Sequence, residues 1–187
     1  MGTMTTSAAT GLPWGRPLTR ADLEAIPDDG HRYELIDGTL VVTPAPSPGH
    51  QRGVGSAYYL LRTLCPPELE VFVAPLDVAL AIDTVVEPDV LVCARSALDR
   101  RGLEGPPLLA VEVLSPSTRR VDLTLKRSRY EAAGCPSYWV VDPDVPSLTA
   151  WELREGAYVL AGQADGEEVL HLNLPYPVDL VPARLFD

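Results

Sequence analysis

Residues 108–114 read Leu-Leu-Ala-Val-Glu-Val-Leu, and they are the most informative segment for the fold. A nearly continuous apolar run of this length is typical of a strand that is covered on both faces. An ionised Glu112 inside such a strand is costly unless a cation, a hydrogen-bonding partner or a proton compensates it. The stretch therefore predicts a layered domain whose central sheet contains an unusual acidic group.

The flanking segments predict a mixed order of helices and strands. Asp37-Gly38, between two apolar runs, predicts a two-residue β-hairpin turn. Ser47 predicts the start of one helix, and Gly134 predicts the end of another. Helices are predicted at about 19–26, 47–65 and 122–133, and further strands at 70–74, 77–82, 89–94, 138–141, 149–153, 157–161 and near 169–172.

This order predicts one α/β (α+β) domain with a mixed central sheet flanked by helices, an N-terminal hairpin and a C-terminal β-hairpin. We assign it to residues 18–187, a length sufficient for one hydrophobic core. Residues 1–17, rich in Thr, Ser, Ala and Gly, are predicted to be a disordered leader. The apolar runs are shorter than the roughly 18 residues that cross a bilayer. Three widely spaced cysteines predict a reduced, cytoplasmic protein.

Lys126 is the only lysine in a chain with fourteen arginines. An arginine-rich composition replaces lysine wherever a generic positive charge suffices. The remaining lysine is therefore a candidate for chemistry that a guanidinium performs poorly, such as proton donation from a compact ammonium. The alternative is an exposed ion pair with Asp122, one helical turn away.

Asp89 begins a second apolar run, directly after Pro88. Two carboxylates at strand positions can hold a hard cation that prefers oxygen ligands, such as Mg²⁺ or Mn²⁺. Each has a simpler alternative, since Asp89 can be a turn residue and Glu112 a core carboxylate neutralised by an arginine. Together with Lys126, the two carboxylates favour a metal site with the lysine beside a metal-bound water.

Several motifs resemble those of the Uma2 (Uma-two) family of restriction endonucleases, which belongs to the PD-(D/E)XK nuclease superfamily. The resemblance covers roughly residues 18–143 in unbroken order and, more loosely, the C-terminal remainder. The segments that carry it are residues 33–38 (YELIDG), 87–90 (EPDV), 112–118 (EVLSPST) and 138–143 (YWVVDP). The resemblance implies a restriction-endonuclease-like core and metal-dependent hydrolysis of DNA.

The resemblance also implies roles for individual residues. Asp89 matches the aspartate of the PD element, and Glu112 matches the acidic residue of the (D/E)XK element. Leu114 stands where the superfamily usually has its lysine, so Lys126, on the following helix, is the match. Glu34 matches a further acidic residue of the family, which implies a ligand of a second metal or a group just outside the metal's own ligands.

Other candidates surround this set. The main-chain carbonyl of Val113 is a third predicted metal ligand. His50, near a helix N-terminus, is either a hydrogen-bonded core histidine or a phosphate contact. Asp122 and Tyr130 lie on the same helix face as the lysine and are candidates for orienting it, with packing as the alternative for Tyr130. Ser137 stands where the family usually has a glutamate, and we expect a surface or packing effect there.

We therefore predict a Mg²⁺-dependent endonuclease that acts on DNA, is expected to form a homodimer and has no membrane partner. The net charge of −11 is unfavourable for phosphate binding, but residues 95–130 contain eight basic and only four acidic residues. Two other functions stay open. One is a catalytically inactive nucleic-acid- or protein-binding domain on the same scaffold, and the other is a structural or interaction protein.

Overall fold

The computed structural model describes Leu12, Pro13 and residues 15–187, so most of the predicted leader lies outside the described residues. The helices are α1 (Arg20–Glu24), α2 (Pro48–Leu64), a π-helical segment (Val121–Lys126) and, directly after it, α3 (Arg127–Ala133), with 3-10 turns at Arg95–Ala97 and Pro182–Leu185. In this part of the chain, no helix is both long and apolar enough to cross a membrane.

The strands of the described residues form three sheets. They are β1 (Arg32–Ile36), β2 (Thr39–Thr43), β3 (Leu69–Val73), β4 (Val78–Ala81), β5 (Thr84–Val86), β6 (Val90–Ala94), β7 (Leu103–Glu104), β8 (Leu109–Val113), β9 (Ser137–Asp142), β10 (Ser147–Arg154), β11 (Ala157–Asp165), β12 (Leu170–Leu172) and β13 (Val178–Leu180). The central sheet has six strands in the order β11-β10-β9-β8-β6-β3. A second sheet has the order β2-β1-β5-β4-β7, and β12 pairs with β13.

The predicted α/β (α+β) class is confirmed, with a mixed central sheet in which only β8 and β9 run parallel. The sequence did not predict that the N-terminal hairpin would belong to a separate five-stranded sheet. It also did not predict β5, β7 and β13, because segments of two or three residues are too short to show an alternating pattern. This second sheet supplies one wall of the site described below.

Strand β8 lies inside the central sheet and is covered on both faces, as the apolar run predicted. Leu109, Val111 and Val113 pack in the cluster that contains α2. Ala110 and Leu114 pack in a second cluster that contains residues of the five-stranded sheet and α3. Since side chains alternate along a strand, Glu112 points into the layer between the two sheets.

The predicted turn and helix end are both confirmed. Asp37 and Gly38 have φ angles of 51° and 71°, the positive values that the turn of a tight β-hairpin requires, and β1 pairs antiparallel with β2. Gly134, with φ 87°, follows α3 and donates its N–H to the carbonyl of Glu131.

Helix α2 approaches the central sheet closely at Gly53. A Cβ at this position would lie 2.8 Å from Cε1 of Phe186 and 3.2 Å from Cγ1 of Val113, whereas a Cβ at Gly55 would meet nothing within 4 Å. The missing side chain at Gly53 lets α2 lie against the end of β8. This packing brings the N-terminus of α2, with His50, to the acidic layer.

We expect Gly53→Leu to lower the free energy of unfolding by about 1–3 kcal/mol, because the new side chain overpacks this contact. The matched variant Gly55→Leu should instead stabilise the protein by about 0.5–1 kcal/mol, since leucine is the better helix former. Urea unfolding of both variants measures the difference. Equal shifts in the two variants would contradict the close approach of α2.

Candidate active site

A cavity of about 400 Å³ opens beside the C-terminal end of β8, between the central sheet, β1 and the N-terminus of α2. Five ionisable side chains line it and are each at most 6% exposed: Glu34, Asp89, Glu112, Asp122 and Lys126. Burying charged groups is costly unless they are paired. Several of them around one cavity therefore indicate a functional site.

Glu112 lies in β8, and Asp89 directly precedes β6, the neighbouring strand of the central sheet. The antiparallel register pairs Val90 with Val111, and continuing it by one residue places the two carboxylates next to each other. Carboxylates in such positions repel one another. Burial raises the pKa of Glu112 well above its usual range, an effect that Lys126 opposes. A cation is the natural complement of this pair.

The main chain of Val113 faces the same point. Its N–H donates to Oδ2 of Asp89 at 2.8 Å. In a strand, the N–H and the carbonyl of one residue point to the same side. The carbonyl of Val113 therefore points toward Asp89, as its predicted role as a metal ligand requires.

Lys126 is buried and points into the cavity, so it is not the exposed ion-pair partner that the alternative describes. Its Nζ lies 2.8 Å from Oε1 of Glu34, 3.2 Å from Oε1 of Glu112 and 3.7 Å from Oδ1 of Asp122. Burial by itself would lower the pKa of Lys126, but these three carboxylates raise it above its usual value. The side chain therefore remains an ammonium.

The lysine reaches this position from the π-helical segment rather than from the regular α-helix that the sequence predicts. The structure corrects that prediction over Val121–Lys126. Segments of this kind are rare, and they occur frequently at functional sites. Both ionisable residues of the segment, Asp122 and Lys126, are buried at the cavity.

Glu34 reaches the site from the other sheet. Its Oε1 is the nearest carboxylate oxygen to Lys126 and also accepts the N–H of Glu87 at 2.8 Å. Thr43 donates to the second oxygen at 3.4 Å. Glu34 thus fixes the lysine from the five-stranded sheet, while Glu112 does so from the central sheet.

His50 is a buried histidine bonded to Asp89, with 3.1 Å between its Nε2 and Oδ2 of the carboxylate. Burial by itself would raise the pKa of Asp89, but the contacts with His50 and the N–H of Val113 lower it below its usual value. Asp89 is therefore held in one orientation and remains ionised. Of the two alternatives for His50, the geometry favours the hydrogen-bonded core histidine.

Asp122 and Tyr130 are both buried, but they differ in their surroundings. Oδ1 of Asp122 has no hydrogen-bond partner among the described residues, although it faces the lysine at 3.7 Å. The hydroxyl of Tyr130 also has none there, and its ring packs 5.2 Å from that of Tyr138. Tyr130 therefore packs in the core and makes no hydrogen bond that would orient the lysine.

Comparison with known proteins shows the family and the fold of this chain. Residues 20–183 match the model of the Uma2 family, described as "Putative restriction endonuclease". The chain belongs to the Uma2 family. No curated protein sequence matches this Uma2 chain. A crystal structure of a "putative nuclease belonging to DUF820" from Anabaena variabilis ATCC 29413 superposes with a TM-score of 0.73 at 18% identity, over 91% of this chain and 98% of the other. At that identity, the likeness shows a shared fold.

The sequence patterns did not identify two charged residues of the site in this Uma2 protein, Arg32 and Glu87. The Nε of Arg32 lies 2.5 Å from Oε2 of Glu87, and its NH1 lies 3.6 Å from Oδ1 of Asp89. Burial, with the nearby charges of Asp77 and Glu34, raises the pKa of Glu87 to about 7 despite the opposing effect of Arg32. Arg32 could have been identified from the sequence, because it lies two residues before Glu34 in a strand and the two side chains therefore share one face.

The residues around the cavity fit a divalent cation in charge and in donor type. Arg32 and Lys126 are the two cations that face five carboxylates, namely Glu34, Glu87, Asp89, Glu112 and Asp122. All of these acids offer the hard oxygen donors that Mg²⁺ prefers. The unpartnered oxygen of Asp122 is a further free acceptor. Within the described residues, however, no group of three His, Cys, Asp or Glu side chains is already placed around one metal position.

Ser137, the departure from the family pattern, has a packing role in this Uma2 protein. It is buried in β9, where its Oγ accepts the indole N–H of Trp139 at 3.0 Å and lies 3.4 Å from the carbonyl oxygen of Trp151. We expected either a surface effect or a packing effect at Ser137, and the structure shows a packing effect.

Most of the basic residues between 95 and 130 form ion pairs with acids from other parts of the chain. Five of the eight pair with acids outside that stretch: Arg95 with Glu70, Arg101 with Glu24, Arg119 with Asp142, Lys126 with Glu34 and Arg129 with Asp37. A sixth, Arg127, lies over the ring of Trp151. The positive excess of this segment is therefore a weaker guide to a DNA-binding surface than the sequence indicates.

Proposed function

We propose that this Uma2 protein is a Mg²⁺-dependent endonuclease that hydrolyses phosphodiester bonds of DNA. The observation that carries the proposal is the buried pair of Asp89, directly before β6, and Glu112, in β8, with Lys126 bound to Glu112. Membership of a family described as a restriction endonuclease supports nuclease activity. The family to which the chain belongs was predicted correctly from the sequence motifs.

The metal would be held by Glu112, the carbonyl of Val113 and Asp89. Oδ2 of Asp89 is already engaged by the N–H of Val113 and by His50, which leaves Oδ1 for the cation. A bound Mg²⁺ supplies a water of lowered pKa and polarises the scissile phosphate. His50 keeps Asp89 oriented for this task.

Lys126 stays protonated and acts as a cation. Because the surrounding carboxylates raise its pKa, the ammonium is a poor base and a good hydrogen-bond donor. It fixes Glu112 through one hydrogen bond and Glu34 through a charge-assisted contact, and it stabilises negative charge that develops nearby. Of the roles that the sequence left open for the lysine, removing a proton from water is the one that this geometry disfavours.

The direct test is incubation of the purified protein with plasmid and single-stranded DNA in Mg²⁺, in Mn²⁺ and in excess chelator. We expect cleavage with either metal and none with chelator. DNA binding without cleavage in any metal would support the alternative, a catalytically inactive binding domain. If the protein neither binds nor cleaves DNA, the result would point to a structural or interaction protein.

Mg²⁺ should also stabilise the folded protein, because it binds a site that the unfolded chain lacks. At a concentration of about 100 times Kd, linkage predicts about 2.7 kcal/mol, or a rise in Tm of about 5–10 °C for a chain of this size. Asp89→Asn should lose most of this shift. Asp179→Asn, a change of an exposed carboxylate outside the cavity, should keep it. An equal shift in both variants would place the metal elsewhere.

The homodimer and the cytoplasmic location stay predictions from the sequence. The homodimer rests on the exposed hairpins and the apolar C-terminal tail, and the location rests on the cysteine pattern.

A further inference from the structure

Arg32 lines two cavities. The first is the acidic cavity described above, and the second, of about 460 Å³, shares Arg32, His50 and Asp89 with it. The second cavity falls within the range of about 300–1,000 Å³ that is typical of ligand sites. A strand of nucleic acid that passes over Asp89 would therefore meet both cavities.

The guanidinium of Arg32 is fixed on one edge and free on the other. Its Nε forms an ion pair with Glu87 at 2.5 Å, and its NH2 donates to the main-chain carbonyl of the same residue. Its NH1 lies 3.6 Å from Oδ1 of Asp89, which is longer than a hydrogen bond. A guanidinium carries five N–H donors, so those of NH1 are available to a ligand. A fixed fork of this kind suits a phosphate.

Lys126 is poorly placed for the same task. It is 3% exposed and enclosed by three carboxylates. The side chain of Arg32 is 24% exposed. These two are the only lysine or arginine residues among the described residues that line the acidic cavity. A phosphate above Asp89 is thus met by Arg32.

We infer that Arg32 binds the phosphate at the reaction site and that the second cavity takes the nucleotide next to that phosphate. This inference rests on the proposed nuclease function and names the contacts of its substrate. The rings of His31 and Tyr33 line the second cavity, with centroids 6.0 Å apart. Aromatic rings of this kind provide stacking surfaces for a base.

The test measures binding rather than cleavage. A fluorescent single-stranded oligonucleotide is titrated at several salt concentrations, in chelator, with every variant built on Glu112→Gln. Arg32→Gln should weaken binding by about tenfold and lower the slope of log K against log salt by about 0.7, the value for one lost phosphate contact on a single strand. An unchanged slope in a folded Arg32→Gln protein would overturn the inference.

Arg154→Gln is the matched control, because it removes the same charge from an exposed arginine outside both cavities. It should leave the slope unchanged, and an equal loss in both variants would reduce the role of Arg32 to net charge. Because binding is measured without metal, the result does not depend on whether the parent protein cleaves DNA. Failure of the parent to cleave would instead count against the proposed nuclease.

A second variant tests the nucleotide subsite without touching Arg32. Val73 lines the second cavity and is 41% exposed, so Val73→Trp should fill the cavity and weaken oligonucleotide binding by about fivefold, or about 1 kcal/mol. Ile82→Trp, an equally large change at an exposed site outside both cavities, serves as the control. Equal affinities for the two tryptophan variants would overturn the subsite.

Discussion

Asp89→Asn is expected to lower kcat for DNA cleavage by about 10³-fold or more. The change removes a negative charge that the divalent cation requires, and a metal site contributes several kcal/mol to such a reaction. The amide oxygen of asparagine can still accept the N–H of Val113, so the fold should persist. The rate of plasmid cleavage in Mg²⁺ measures the effect, and circular dichroism verifies the fold.

Asp179→Asn is the control for this substitution. Its carboxylate is 72% exposed and pairs with His171 on the β12–β13 hairpin, outside the acidic cavity. We expect it to cleave DNA at the parent rate. If Asp89→Asn also cleaved DNA at the parent rate, Asp89 would not be a metal ligand that the reaction requires.

Lys126→Met is expected to lower the free energy of unfolding by about 3–5 kcal/mol and to remove nuclease activity. The loss arises because Glu34 and Glu112 would remain buried without the cation that compensates them. Lys126→Arg should be nearly as inactive, since the enclosure holds a compact ammonium and not a planar fork. Urea unfolding and plasmid cleavage measure the two effects.

The double variant Lys126→Met/Glu112→Gln separates stability from chemistry. Removing the charge of Glu112 should restore part of the lost stability, which gives a coupling energy between the two residues. Activity should not return, because a metal ligand is then missing as well. Full nuclease activity in Lys126→Arg would show that the argument for a lysine-specific role is wrong.

The main elements of the fold could be predicted from local patterns. The turn at Asp37-Gly38, the stop at Gly134 and the burial of β8 each depend on residues close together in sequence, and all three are confirmed. The separation into two sheets could not be predicted in this way. It depends on which surfaces pack together, and strands as short as β7 show no pattern to indicate it.

The residues of the candidate site likewise differ in whether local sequence patterns reveal them. Asp89, Glu112 and Lys126 were found because each is a charge, or an exception, in an apolar or arginine-rich setting. Glu34 was found only through the family resemblance. Arg32 was missed, although its spacing from Glu34 places both on one strand face.

The family motifs, the buried strand and the two carboxylates in apolar segments could all be identified from the sequence, because they are properties of neighbouring residues. Three features became visible only in the folded structure: Lys126 points inward from a π-helical segment, Glu34 contacts it from a second sheet, and Arg32 lines two cavities. Those positions depend on register and on the packing of layers that are far apart in the chain. Local sequence patterns carry no direct record of such contacts.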